Sequence, residues 1–262
     1  MAVRLLRLRG FPILQQLRLE EALLRADAGN WFLINDGTPQ PSVVLGISGK
    51  PHDLVHLEAA HRARIQLIKR FTGGGTVVVD SDTIFTALIM HADALAEVPC
   101  YPRPVMRWTE QLYSSAFARH GSFHLRENDY VFGERKFGGN AQAITKNRWL
   151  HHTSFLWDFE GERMRLLKHP GRAPDYRAGR EHLDFVCRLK DVVPCRKALL
   201  SSLCDSLEEA GFELQEASLE EASEALARNT LCGTHLLDTE ALLAQQEQQE
   251  EAAAAAAAAV SS

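Results

Sequence analysis

The stretch Lys69-Arg70-Phe71-Thr72-Gly73-Gly74-Gly75-Thr76 separates two runs rich in β-branched residues, 65–71 and 76–80, and a third such run follows at 83–89. Three consecutive glycines permit positive φ and let backbone N–H groups approach an anion, while Arg70 adds a forked donor suited to phosphate or carboxylate. A Walker A loop is excluded, because Gly-Lys-Ser/Thr must open a helix and Gly75 here runs into Thr76-Val77-Val78-Val79. A dinucleotide fingerprint does not fit either. The alternative reading of the same residues is a glycine-rich hairpin with no ligand.

The flanking sequence places this loop in a mixed sheet domain. Residues 12–25 put a proline near a helix start, then Ile13, Leu14, Leu17 and Leu24 at helical spacing with Gln15, Arg18, Glu21 and Arg25 on other faces. Residues 31–34 and 42–47 are strand-like runs around the turn-rich segment 35–41. After Tyr101-Pro102-Arg103-Pro104 one helical stripe carries Val105, Trp108, Leu112, Ala116 and Phe117, and residues 129–157 return to strands with a predicted glycine turn at Gly138-Gly139-Asn140. Helices mixed with mostly hairpin-connected strands give an α+β sheet domain rather than a strict βαβ repeat.

Three further features carry chemistry. Lys136, expected just before a tight turn, can present its ammonium at a fixed point and neutralise charge developing on an acyl phosphate. Asp129 can hold a magnesium ion, or simply form a turn. His151 and His152 lie in a strand-like run, so they point to opposite faces and at most one reaches a site. Each has a bland alternative as a solvated or core residue.

Composition bounds the rest. At roughly 150 residues per domain, a chain of 262 residues is one large domain or one with an appendage. With 45% hydrophobic residues, 24% charged and a net charge of -5, neither a membrane nor a nucleic-acid partner is expected. Five scattered cysteines without a Cys-x-x-Cys pair predict a reduced, intracellular chain. The cytoplasm is expected, with the mitochondrial matrix as the alternative, because Arg4, Arg7 and Arg9 precede any acidic residue in the manner of a presequence. The same residues alternate as a first strand would.

Arg70-Phe71-Thr72-Gly73-Gly74-Gly75-Thr76 followed by Asp80 resembles the Arg-x-Ser-Gly-Gly-Gly-x-Val-x-x-Asp segment of the lipoate-protein ligase A family. Asn128-Asp129 leading to Lys136-Phe137-Gly138-Gly139-Asn140-Ala141 resembles its second segment, His151-His152-Thr153 its His-His-Gly-Thr, and Val43-Val44-Leu45-Gly46-Ile47 its glycine-ended strand. The likeness runs over about residues 10–195 and implies the biotin/lipoate-ligase catalytic fold, a class II synthetase-like mixed sheet flanked by helices. It implies that lipoate or octanoate and ATP, with Mg2+, form an acyl-adenylate whose acyl group passes to a lysine of a lipoyl domain. The acceptors implied are those of 2-oxoacid dehydrogenases or the glycine-cleavage carrier protein. By the same matching Lys136 is catalytic and contacts the acyl carbonyl and α-phosphate. Arg70, Gly73, Gly74, Gly75 and Thr76 line the acyl-adenylate pocket, Asn128 and Asp129 sit near phosphate and metal, and Gly138, Gly139, Asn140, Ala141 and His152 complete the binding set. The strands 43–47 and 77–79 are the expected walls of an apolar acyl tunnel.

This chain departs from the family pattern where Thr72 and Gly138 replace serines and where no glycine follows His152. On this reading residues 1–195 form the catalytic domain, 196–244 a short helical extension and 245–262 a low-complexity disordered tail. Ser218 and Glu221 predict a capping box in the extension. The usual C-terminal accessory domain is not expected in so short a remainder, so a separate accessory subunit could supply its role. Two alternatives remain: an acyl transferase drawing on an acyl carrier through a cysteine thioester, and a non-catalytic subunit that binds acyl-adenylate. The first lacks a cysteine at His120-Gly121-Ser122-Phe123-His124 and at His169-Pro170-Gly171, where thiol-dependent relatives carry one.

Overall fold

The computed structural model describes residues 1–169, 171 and 173–260, apart from the side chains of 257–260. Among the described residues twelve strands run in chain order as β1 (Ala2–Arg9), β2 (Trp31–Asp36), β3 (Ser42–Leu45), β4 (Gln66–Lys69), β5 (Val77–Val79), β6 (Thr83–His91), β7 (Phe123–Arg126), β8 (Asp129–Phe132), β9 (Arg135–Ile144), β10 (Arg148–Leu156), β11 (Glu213–Glu216) and β12 (His235–Leu236). They form an eight-stranded sheet in the order β11-β1-β2-β6-β10-β9-β8-β7 and a four-stranded sheet in the order β12-β4-β3-β5. The α+β class read from the sequence is what the structure has: mixed sheets flanked by helices.

Both faces of the large sheet are covered, which is why β6, Thr83-Ile84-Phe85-Thr86-Ala87-Leu88-Ile89-Met90, is almost continuously apolar and buried. On one face lie the helices Pro102–Phe117 and Arg196–Glu209. Pro102 occupies the first turn of its helix, where a missing N–H costs nothing, and Val105, Leu112, Tyr113, Ala116 and Phe117 are buried against the sheet. Tyr113 meets Phe117, Tyr130 and Phe155 edge-on at 5.7 to 6.5 Å, the arrangement that ring quadrupoles favour. Leu199, Leu203 and Leu207 join the same core, and β11 continues the sheet by pairing parallel with β1.

The opposite face carries the helices Ile13–Ala26 and Leu219–Arg228. Ser218 Oγ accepts the Glu221 N–H at 3.1 Å while the Glu221 carboxylate accepts the Ser218 N–H at 2.7 Å. This is the predicted capping box, worth about 1 kcal/mol at a helix start. The small sheet abuts this face near β8, where Val131 packs with Val43, Leu45 and Leu67.

Three expectations give way here. Gly138, Gly139 and Asn140 do not turn the chain: β9 runs straight through them, and the reversal comes earlier at Gly133, with φ of 57°. The glycines serve close approach instead, since a Cβ on Gly138 would lie 3.1 Å from Tyr130 and 3.2 Å from Phe155. Nor do the strands around the triple glycine form a hairpin, because β4 and β5 flank β3 on opposite sides and the 70–75 loop crosses between them. Finally, the tail expected to be disordered is helical as Thr239–Val260. Alanine has the highest helix propensity, and Leu242 and Leu243 anchor the helix start beside Leu54 and Ala59. Ser261 and Ser262 of that expectation lie outside the described residues.

Candidate active site

Lys136 lies near the start of β9, beside a break in the β8–β9 register between Tyr130 and Val131. That bulge re-aims the side chain, so its ammonium stands over Gly139, where a Cβ would come within 3.2 Å of Nζ. The ammonium donates to Asp129 Oδ1 at 2.8 Å, and Tyr176 Oη donates to Asp129 Oδ2 at 2.8 Å. Lys136 is thus fixed by strand geometry and a carboxylate, not by the tight turn expected from sequence. Burial and the neighbouring Asp129 charge push the Tyr176 phenol upward, so it stays a hydrogen-bond donor.

The 70–75 loop reaches over β9 from the small sheet. Gly74 has φ of 103°, and a Cβ there would lie 2.8 Å from the Arg70 guanidinium and 3.2 Å from both Ala141 Cβ and the Asn140 carbonyl. Gly46, at the end of β3, lies against the Gly74 carbonyl so closely that a Cβ would overlap it. Arg70, Gly74, Ala141, Gly139, Lys136 and Asp129 therefore lie together on one face.

Arg70 acts inward. It is 3% exposed; its Nε donates to Thr72 Oγ1 at 2.8 Å, and Nη2 donates to the carbonyls of Gly73 and Gly75 at 2.9 and 2.8 Å. Burial lowers its pKa to about 10, against the opposing pull of Glu20. The forked donor is spent on tying the loop's hydroxyl and carbonyls together. Thr72 keeps the hydroxyl of the family serine and uses it here, and Thr76 Oγ1 is buried without a protein partner.

The other sequence candidates divide between the two faces. Asn140 points to the helical side, accepting from Thr153 Oγ1 at 2.6 Å and donating to the Asn128 carbonyl at 3.0 Å, so it braces the 128–129 turn. Gly138 likewise faces Tyr130 and Phe155. His152 is on the site face but is held by Glu20 at 2.8 Å, with Glu20 in turn held by Gln16 at 2.8 Å. His151 is on the helical side among Thr109, Tyr130, Gln142 and Thr153. Of the expected tunnel walls, Val44 and Val79 pack with Ile13, Leu17, Ile68 and Phe85.

Burial, and then His152, lower the His151 pKa from 6.5 to about 3, so the imidazole is neutral in the fold. The unfolded chain therefore binds the extra proton between those two values, and the stability this group supplies is complete above pH 6.5 and lost on acidification through that window. Its share of the loss by pH 5 should be about 2 kcal/mol. Urea unfolding at pH 7 and pH 5 checks this: wild type should lose that much more than His151→Gln, and equal losses would contradict it.

Asp129 stands alone as a metal candidate: among the described residues no group of three His, Cys, Asp or Glu side chains could hold an ion. A lone carboxylate still suits Mg2+, which keeps one or two carboxylates and takes its other ligands from phosphates and water. Tyr176, Glu20 and Gly46 are the site residues that motif reading did not single out for contact. Two grooves of about 240 and 460 Å3, lined by His61, Leu236, Leu237 and Thr239, share no residue with this constellation. Among the described residues no helix is long and apolar enough to cross a membrane.

Comparison with known proteins points to one family. Residues 12–210 match the family model described as the lipoyl protein ligase A/B catalytic domain. Inactive lipoate–protein ligase 2 of Plasmodium falciparum is 27% identical, the match covering 69% of this chain and 61% of that protein. The chain thus spans about three fifths of that relative and about a third of the other curated relatives it matches. The structure of a lipoate-protein ligase A bound with ATP superposes with a TM-score of 0.70 at 21% identity, covering 87% of this chain and 93% of that one. A structure described as a bi-partite lipoate protein ligase and its E2 lipoyl domain from Thermoplasma acidophilum gives a TM-score of 0.70 at 21% identity over 87% of this chain and 91% of that one. At those identities the likeness is one of fold, while the sequence match over 12–210 carries the family. This chain belongs to the lipoyl protein ligase A/B catalytic-domain family.

Proposed function

We propose that the chain is a lipoate–protein ligase that activates lipoate or octanoate with ATP and passes the acyl group to a lysine of a lipoyl domain. The observation that carries this reading is the Lys136 ammonium, held by Asp129 on the glycine floor of β9 beside the 70–75 loop. In the first step a carboxylate oxygen attacks the α-phosphorus and pyrophosphate leaves. In the second an acceptor lysine amine, having lost its proton, attacks the acyl carbonyl and AMP leaves. Both steps concentrate negative charge around the α-phosphate and acyl oxygens.

Lys136 is the group that meets that charge, leaving Asp129 Oδ1 for it, while the N–H groups of Gly73, Gly74 and Gly75 hold the anion in place. Thr76, with its unpartnered hydroxyl, lines the same pocket. Asp129, with Asn128 next to it, would hold Mg2+, whose charge neutralises the ATP phosphates when bound. Gly139 and Ala141 leave room for the ligand on the strand, and His152 closes the floor toward the first helix. The family relatives are named as ligases, and the Thermoplasma system pairs its enzyme with a lipoyl domain. By analogy the acceptors here are lipoyl domains of 2-oxoacid dehydrogenases or the glycine-cleavage carrier, with an accessory subunit completing transfer.

The placement of Cys187 disfavours a thioester mechanism. The Cys187 N–H donates to the Lys136 carbonyl at 2.8 Å, yet its side chain packs with the cluster of Phe137, across the sheet from the ammonium. Burial also raises its thiol pKa to about 11, which suppresses the thiolate. The second reading, a subunit that binds acyl-adenylate without making it, is favoured by the name of the Plasmodium relative. Mass spectrometry of the purified chain with lipoate, ATP and magnesium separates the two: lipoyl-adenylate should accumulate. Binding of added adenylate without its synthesis would overturn the ligase reading.

A further inference from the structure

Segment 229–237, which lies beyond the family match, crosses from the helix Leu219–Arg228 to the helix Thr239–Val260 and passes directly over the flank of the 70–75 loop. Its β12 pairs antiparallel with β4, His235 opposite Lys69 and Leu236 opposite Ile68, and the Leu237 N–H donates to the Leu67 carbonyl at 2.8 Å. Thr234 is fully buried, and its Oγ1 accepts the Phe71 N–H at 3.3 Å, one residue past Arg70. The strap is itself pinned to the first helix. The buried Glu21 carboxylate accepts the Gly233 N–H at 2.9 and 3.0 Å and the Thr234 N–H at 3.1 Å, and Arg18 Nε donates to the Thr234 carbonyl at 3.2 Å. Arg25 closes the node, donating to Glu21 at 3.1 Å with its guanidinium 5.8 Å from the Phe71 ring centre.

We propose that Thr234 and Glu21 are positioning residues for the 70–75 loop, acting by fixing Phe71 and the end of β4 so that Arg70 and Gly74 rest on β9 beside Lys136. Neither touches the site itself. A carboxylate that accepts three strap contacts and an arginine is a far stronger anchor than a two-residue strand alone, because charge-assisted bonds are the strong ones. β4 and β5 pair with β3 rather than with each other, so the loop spans the width of β3, and the strap adds a contact from outside to the ties that β3 and Arg70 already give it.

The inference deepens the ligase reading, and its test separates the two. Thr234→Val keeps the shape and removes the acceptor, and Thr234→Ser restores it. Hydrogen exchange in the full chain should show faster exchange at residues 73–76 in Thr234→Val, with β6 unchanged and Thr234→Ser like wild type. In parallel, the KM for lipoate should rise about tenfold in Thr234→Val, a loss of the uniform-binding kind, with kcat within twofold and the serine variant rescuing it. Unchanged exchange at 73–76 would overturn the clamp whatever the chain catalyses. Faster exchange with an unchanged KM would overturn the link to substrate binding. A wild-type chain that neither binds nor activates lipoate would sink the ligase reading alone, leaving the exchange result to decide the clamp.

Discussion

Lys136→Ala is expected to lower lipoyl-adenylate formation by about two to three orders of magnitude, the loss typical when one donor to developing negative charge is removed. The variant should fold. Lys136 is 22% exposed at its side chain, so no large cavity is opened, and Asp129 keeps the Tyr176 hydroxyl as a partner. Asp129 loses one of its two side-chain partners, however, and a carboxylate only 9% exposed is costly to strip of its ion-pair partner. A small drop in melting temperature should therefore accompany the large drop in rate. Single-turnover adenylate formation beside a melting curve measures both. Full turnover in the variant would show that the charge is met elsewhere.

Gly46→Ala should be the most damaging methyl added at any of the glycines, because Gly46 has the tightest surroundings of them all. The added carbon would overlap the Gly74 carbonyl oxygen and lie 3.2 Å from its carbonyl carbon, and backbone cannot swing aside as the end of a side chain can. Either the 70–75 loop lifts from β9 or the end of β3 shifts, and Ile47, whose N–H donates to the Thr72 carbonyl at 2.9 Å, would move with it. Overpacking of this kind costs about 1–3 kcal/mol. The functional loss should exceed the stability loss, because the loop's amides are displaced from the strand that carries Lys136. Denaturant unfolding and lipoate titration of the variant test this: lipoate affinity should fall by at least tenfold, and affinity retained with normal stability would mean the loop tolerates a different seat.

Much of this was legible in the sequence because local rules and motif order agree. The stripe Val105, Leu112 and Ala116 gave its helix, the β-branched runs gave β2 to β6, and Ser218 with Glu221 marked a helix start that the structure reproduces. The motif residues Arg70, Gly74, Asp129, Lys136 and Ala141 do converge on one face. What local rules missed are contacts between distant segments. Glycines at 138 and 139 read as a turn because turning is their commonest local use, while the aromatic ring and the lysine that need the space come from β8, β10 and a bulge. Tyr176 reaches Asp129 from 47 residues away and leaves no local trace. Glu20 did leave one: it interrupts the apolar stripe of Ile13, Leu17 and Leu24, and a carboxylate on a buried stripe announces a partner, here His152. The long terminal helix was misjudged because its anchor, Leu242 and Leu243, sits upstream of the alanines.

The placement of β1 between β2 and β11 bears on how the chain is made. Ala2 to Leu5 pair with residues 213–216, so the outer edge of the first strand has no neighbour until the ribosome has delivered more than two hundred further residues. At about 5–20 residues per second that is a wait on the order of ten seconds or longer. During it, β1 can zip to β2 on one side, since Arg4 to Arg9 pair with Trp31 to Asp36 almost at once, while its other side stays open to any extended peptide nearby. Arg4 lies within the stretch that β11 later covers and Arg7 and Arg9 lie just past it, and charges so placed disfavour edge-to-edge pairing between copies of the chain.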